Sequence, residues 1–225
     1  MFTEQNTVER MILDTLSGKG AAGKRKDEKG GAYLAESTAV YLPHAPAFWR
    51  YVPAENLPRA YSDVLVEEMV RKALVRLNPE IEQKPERAEE VIYKLRAILL
   101  SVQADGLVRA NEHFTQWLRG EKTMPFGKNG EHRVVRLLSF DKPEKNECIV
   151  TTQWVYPGKE NGRRFDIVLL VNGIPLVIGE AKTPVRPSVT WLDGASDIRN
   201  GYEETVPQMF VPNVLSFATE GKMFR

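Results

Sequence analysis

A single cysteine, Cys148, among 225 residues excludes an internal disulfide framework and suits a reducing compartment. No apolar stretch approaches the roughly 20 residues of a membrane span, and the N-terminus lacks the pattern of a signal peptide. Charge is balanced: 31 basic and 30 acidic residues leave a formal net charge of +1, so any basic surface has to be local. The three histidines, His44, His113 and His132, are scattered without metal-ligand spacing and read as surface or capping residues. Internal repeats are absent. What is present, 42% hydrophobic and 27% charged residues, is the composition of an ordinary globular domain. Together these features predict a cytoplasmic chain with one buried core and no membrane partner.

Residues 3–17 read as a short helix, with Thr3 as N-cap and Val8, Met11, Ile12 and Leu16 as its apolar stripe. The Gly- and Lys-rich stretch that follows opens residues 18–48, expected to be a surface loop or insertion. Its "GKGAAGK" imitates the start of a phosphate-binding loop, but Arg25 stands where Ser or Thr would meet magnesium, and a helix precedes it instead of a strand. No ATP site is therefore expected in this chain. Residues 62–77 form an amphipathic helix ended by Asn78–Pro79. A second helical stretch, 85–118, is broken near Asp105–Gly106. Beyond Gly120 the period changes to that of strands, at 133–140, 147–156, 164–171 and 175–182, the last two almost continuously apolar. Residues 193–205 return to helix, with Asp193 as cap, and 213–221 form a further strand. Trp154 and Trp191 read as core or sheet-edge aromatics. The order of elements predicts an α/β fold with a sheet covered on both faces.

The stretch "PLVIGEAK" (175–182) ends an apolar strand in two charges. Glu180 and Lys182, two apart, share one face of a strand. Acid-x-Lys triplets occur four times, at Asp27–Lys29, Glu82–Lys84, Glu180–Lys182 and Glu220–Lys222, so the triplet alone says little. Only Glu180–Lys182 ends an apolar strand, and only it has an acid, Asp166, at the head of another. Hydrolysis of a phosphodiester needs a hard cation to neutralise the phosphate and activate water. Magnesium can be held by one or two carboxylates plus substrate phosphate. Asp166, Glu180 and the Ala181 backbone carbonyl can supply oxygens, and Lys182 can stabilise charge developing on the phosphate. The competing reading is a buried ion pair closing the sheet, which would be a poor source of stability.

"RRFDIVLLVNGIPLVIGEAKTP" resembles the nuclease core of the restriction (R) subunit of type I restriction–modification enzymes, a member of the PD-(D/E)xK nuclease superfamily. "ALVRLNPEI", "NEHFTQWLRG", "VVRLLSFDKPEKNECIVTTQWVY" and "YEETVPQMFVPNVLSFATEGK" extend the resemblance over most of the chain apart from residues 18–48. The resemblance implies a restriction-endonuclease-like mixed β-sheet flanked by helices, with an N-terminal helical region. It implies a magnesium-dependent endonuclease acting on double-stranded DNA, with Asp166 and Glu180 as metal ligands and Lys182 as the catalytic lysine. A glutamate of the first helix, Glu9, is the implied accessory ligand. It also implies that residues 1–225 are the N-terminal endonuclease domain of a larger subunit, whose ATP-driven motor is absent here and which docks on methylation and specificity subunits. The chain's end just after a strand agrees with that expectation. Phe165 replaces the family's proline before the aspartate, and "SDIRNGY" stands where a Gln-x-x-x-Tyr element is usual. Asp197 and Tyr202, five apart, are offset on an α-helix, so Tyr202 reads equally as an accessory residue or as helix packing. Two alternatives stay open: a stand-alone repair nuclease or resolvase, and a catalytically silent DNA-binding or assembly module.

The metal-site reading carries a geometric condition. A tight two-residue turn at Asn172–Gly173 without irregularity would set Asp166 opposite Gly179 and turn Glu180 to the other face. One extra residue is required, expected either in a three-residue loop including Ile174 or in a bulge near the active end.

Overall fold

The structure is a computed structural model that describes residues 8–17, 49–158, 162–183 and 189–221. Thr3, residues 18–48 with the "GKGAAGK" stretch, Asp27–Lys29, His44 and Lys222 lie outside them. The first helix, α1, is Arg10–Leu16. A short strand β1 (Arg50–Tyr51) leads to four helices, α2 (Glu67–Leu77), α3 (Pro79–Glu82), α4 (Arg87–Asp105) and α5 (Leu107–Leu118). Strands β2 (Thr123–Met124) and β3 (Arg133–Val134) form a small ribbon before the principal strands β4 (Cys148–Tyr156), β5 (Arg163–Val171) and β6 (Ile174–Ala181). Helix α6 (Trp191–Ser196), a π-helical segment Asp197–Tyr202 and α7 (Glu203–Thr205) precede β7 (Leu215–Thr219).

The five-stranded sheet has the order β1-β4-β5-β6-β7. Strands β4, β5 and β6 are antiparallel neighbours, while β1 runs parallel to β4 and β7 parallel to β6. Its apolar strands are explained by cover on both faces. One face, with Val168, Leu170 and Ile178, packs into the main core under α2, α4 and α5. The other, with Val150, Ile167, Leu169 and Ala181, is covered by Val8 and Ile12 of the α1 segment. The fold is mixed α/β with helices on both sides, as the sequence predicts.

Several local expectations are corrected. Met11 is 54% exposed, so the stripe of α1 rests on Val8 and Ile12, with Leu16 partly buried beside them. Helix α2 begins only at Glu67, because residues 62–66 bury Val64, Leu65 and Val66 in irregular chain. Pro79 starts α3 at a position where its missing N–H is harmless. The strand expected at 133–140 is reduced to Arg133–Val134. Its remainder is an irregular segment fastened by asparagine side chains. Asn78 donates to the Arg136 carbonyl and accepts from its N–H (2.9 and 2.7 Å), and Asn146 does the same for Ser139 (2.8 and 2.9 Å). The break at 105–106 is as expected, with Gly106 at φ 79°. Thr190, not Asp193, caps α6; Asp193 is the reciprocal partner in the capping box. Trp154 is fully buried, beneath the Arg59 guanidinium at 3.6 Å from its ring centre. Exposed His132 contacts the Thr123 hydroxyl at 3.0 Å.

Candidate active site

The register condition is met, though not where it was expected. The β5–β6 turn is a two-residue one, Asn172 at φ 53° and Gly173 at φ 82°, the left-handed pair that a tight hairpin requires. Leu170 pairs with Pro175 and Leu169 with Val177, which leaves Leu176 as the extra residue, beside the turn and not at the active end. Pro175 explains the location, since a residue without an N–H cannot sustain the ladder and is tolerated at bulges. The Leu176 carbonyl freed from the ladder accepts from the Val214 N–H at 2.8 Å. From there the register runs through Ile167↔Gly179, so its next step sets Asp166 opposite Glu180, and opposed residues share a face.

Both carboxylates are buried, Asp166 at 8% and Glu180 at 4% exposure. Asp166 Oδ2 accepts the Ala181 N–H at 3.0 Å, tying the two strands where the ladder ends. Burial, and then the charge of Asp166, push the Glu180 carboxyl up to about 7, against the pull of hydrogen bonds from Lys182 and Tyr202. The Tyr202 hydroxyl acts on that carboxylate as a donor without reaching hydrogen-bond geometry at Oε2, which is buried and unpartnered. Lys182 Nζ donates to Glu180 Oε1 at 2.8 Å and to Asp197 Oδ2 at 2.6 Å. Burial alone would lower the lysine's pKa, but the bonds to Asp197 and Glu180 outweigh it and hold the ammonium charged above its ordinary range.

The π-helical segment resolves the offset of Asp197 and Tyr202. On an α-helix, residues five apart lie about 140° apart around the axis; π-type i→i+5 bonding brings them one above the other. Here Asp197 holds Lys182 while Tyr202 faces Glu180. Tyr202 also packs edge-on against Phe165 at 5.3 Å, as the helix-packing reading expects. Burial and the Glu180 and Asp166 charges raise its pKa, keeping the phenol protonated as a donor. Gly194 of α6 allows this close approach: a Cβ there would stand 3.3 Å from Glu180 Cγ and 3.4 Å from Lys182 Cγ.

Glu9 is buried and accepts from Gln153 Nε2 at 2.9 Å. Gln153 was not singled out from the sequence. It lies where the β4–β5 register, Thr152↔Ile167 then Trp154↔Phe165, skips the position facing Asp166. Its φ of 59° interrupts the strand at the position that the register sets opposite Asp166, and its side chain reaches Glu9. Strain of this kind gathers at functional positions, but a glutamine inside a β-branched run carries no sequence signal for a left-handed backbone.

The donor set suits a hard cation. Among the described residues no three His, Cys, Asp or Glu side chains converge as a metal cage. Two carboxylates that repel each other, one with an orphaned oxygen, fit magnesium, which retains several waters. This fit has a pH signature. A Glu180 pKa raised above its unfolded value means that the folded state binds the extra proton, so stability falls as pH rises from about 4.5 to about 7. A divalent cation held between the carboxylates would remove that penalty. The gain in Tm on adding magnesium is therefore expected to be larger at about pH 8 than at about pH 5.5; equal gains would show that the cation does not bind Glu180.

The family model described as "Type I restriction enzyme R protein N terminus" matches residues 33–225, a span that includes Asp166, Glu180, Lys182 and Tyr202 but begins after Glu9. The chain is 29% identical over 188 residues to the "Type I restriction enzyme HindI endonuclease subunit" of Haemophilus influenzae, covering 79% of this chain and 17% of the relative. It is also 29% identical over 163 residues to the "Putative type I restriction enzyme MjaIXP endonuclease subunit" of Methanocaldococcus jannaschii, covering 70% of this chain and 15% of the relative. The matched region thus spans about a sixth of the length of these relatives. With its mixed sheet and a family match that runs through all the strands and helices after α1, the chain belongs to the type I restriction enzyme R protein N-terminal family.

Proposed function

We propose that this chain is the magnesium-dependent endonuclease region of a type I restriction enzyme subunit, a site-specific deoxyribonuclease that hydrolyses phosphodiester bonds of double-stranded DNA. The observation that carries the proposal is the register that sets Asp166 opposite Glu180, with Lys182 pinned between Glu180 and Asp197. Asp166, Glu180 and the Ala181 carbonyl would hold the ion. Bound there, magnesium would neutralise the phosphate and lower the pKa of an attacking water. Lys182, kept protonated by two carboxylates, would stabilise charge on the phosphate oxygens. Tyr202 and Asp197 orient Glu180 and Lys182, and Glu9 with Gln153 supports the Asp166 side.

By the same reading the parent subunit couples cleavage to ATP-dependent translocation by domains outside this chain, assembles with methylation and specificity subunits, and works in the cytoplasm. Relatives of about six times the matched length favour this over a stand-alone repair nuclease. The unpartnered Glu180 Oε2 favours it over a silent module, in which a buried carboxylate would be fully bonded. Crystals soaked in manganese should show anomalous density between Asp166 and Glu180; manganese bound elsewhere, with none there, would overturn the metal site.

A further inference from the structure

At the hairpin end of the sheet, away from Asp166, lies a groove of about 660 Å³ between the C-terminal ends of α2 and α5 and the irregular segment after β3. Five of its lining side chains are cationic: Arg76, Arg119, Arg136, Lys142 and Lys145. Only Glu82 and Asp141 oppose them. In a chain whose net charge is +1, this is a local concentration of positive charge. Arg136, Lys142 and Lys145 have no carboxylate partner among the described residues. Phe140 stands among them, 68% exposed.

The segment carrying these residues is held firmly although it is irregular. Asn78 clamps Arg136 and Asn146 clamps Ser139, as described above. Buried Asn172 donates to the Leu137 carbonyl at 2.9 Å and to Asn146 Oδ1 at 3.0 Å, and accepts from the Glu147 N–H and Arg76 at 2.9 Å each. Three asparagines therefore fix a backbone that presents a bare aromatic ring and unpaired cations to solvent. A solvated basic loop would need none of this bracing.

We infer that this groove is a second nucleic-acid contact, distinct from the metal site, that takes unpaired DNA: phosphates lie along Arg136, Lys142 and Lys145 while a base stacks on Phe140. Phosphate neutralisation supplies salt-dependent affinity, and an exposed aromatic beside a basic track is the stacking element of single-strand binding. Duplex DNA would leave Phe140 without a role, because its bases are already stacked. From Asp166 to Val171 at the hairpin end, β5 covers about 17 Å, so the groove is a separate platform from the cleavage site.

The test is fluorescence anisotropy of labelled single-stranded and duplex oligonucleotides with this chain, in EDTA so that nothing is cut. Arg136→Glu with Lys142→Glu should lower the salt slope for the single strand by about 1.4, from about 0.7 per phosphate contact. Phe140→Ala should weaken single-strand binding about tenfold and change duplex binding by less than about twofold. Asp166→Ala should bind the single strand normally, so a failed metal site leaves this inference standing. Unchanged single-strand affinity and slope in the charge-reversal protein would overturn it, as would equal losses for duplex and single strand in Phe140→Ala. Because Asn78 holds only the backbone of Arg136, and Phe140 and Lys142 lie outside the asparagine clamps, melting curves should match the parent chain.

Discussion

Replacing Lys182 by alanine in the complete restriction enzyme should reduce DNA cleavage by at least about a hundredfold and leave ATP hydrolysis and translocation intact. The lysine is the cation that touches both Glu180 and Asp197, and no other residue among those described stands in that position. Its loss should not unfold the domain. Asp197 is half exposed on its far side and can be hydrated, while Glu180, already pushed up to about 7, can take a proton. Asp166→Ala and Glu180→Ala should abolish cleavage in the same way, and manganese should no longer bind between the strands in either. Asp197→Ala should cost less, because Lys182 keeps its bond to Glu180. Cleavage and ATPase assays on the same preparations decide the matter. Undiminished cleavage by Lys182→Ala would mean that the site is wrongly assigned, and parallel loss of both activities with a normal melting curve would mean that these residues couple domains instead of cutting DNA.

Asn172→Ala should destabilise the domain by about 4 kcal/mol, among the larger effects available to a polar substitution. The side chain makes four hydrogen bonds from a residue that is almost wholly buried. Alanine would leave the Leu137 carbonyl and the Glu147 N–H to find other partners, at a cost of about 1–3 kcal/mol for each buried group left unpaired. It would also occupy a left-handed position that asparagine tolerates better. The hairpin turn, the bulge at Leu176 and the groove segment would loosen together. Urea denaturation of the two proteins measures the difference. A loss below about 1 kcal/mol would show that the groove segment is held by its apolar contacts and not by the asparagines.

How much of this was legible beforehand follows from which interactions are local. The apolar runs of β5 and β6 declare a doubly covered sheet, and the acid-x-Lys end of β6 stands out because charge is costly there without a partner. Helices α4 and α5 and their break at Gly106 follow from periodicity and one glycine. The short strands β1 and β2 could not be read, since two-residue ladders carry no period. The reduction of 133–140 to a brief strand was equally hidden: its apolar residues, Val135 and Leu137, are buried as a strand's would be, and beyond Val135 the bonds that replace a ladder come from the side chains of Asn78 and Asn172, distant in sequence, and of Asn146, seven residues past Ser139.

The same division runs through the candidate site. Sequence by itself determined that Asp166 and Glu180 belong to strands with buried sides, that Lys182 stands at the end of one of them, and that an extra residue was needed if the two acids were to meet. Tertiary structure decided where that residue sits, because Pro175 breaks the ladder only when β5 is beside it. It decided that Asp197 and Tyr202 converge, because the π-helical turn lets them meet the Lys182–Glu180 pair on the strand beneath. It placed Gln153 beside Asp166 through a left-handed kink that no residue preference announces. Side-chain type and strand period are properties of neighbours in the chain, whereas register, helix bulges and strained backbone are set by what the rest of the fold presses against them.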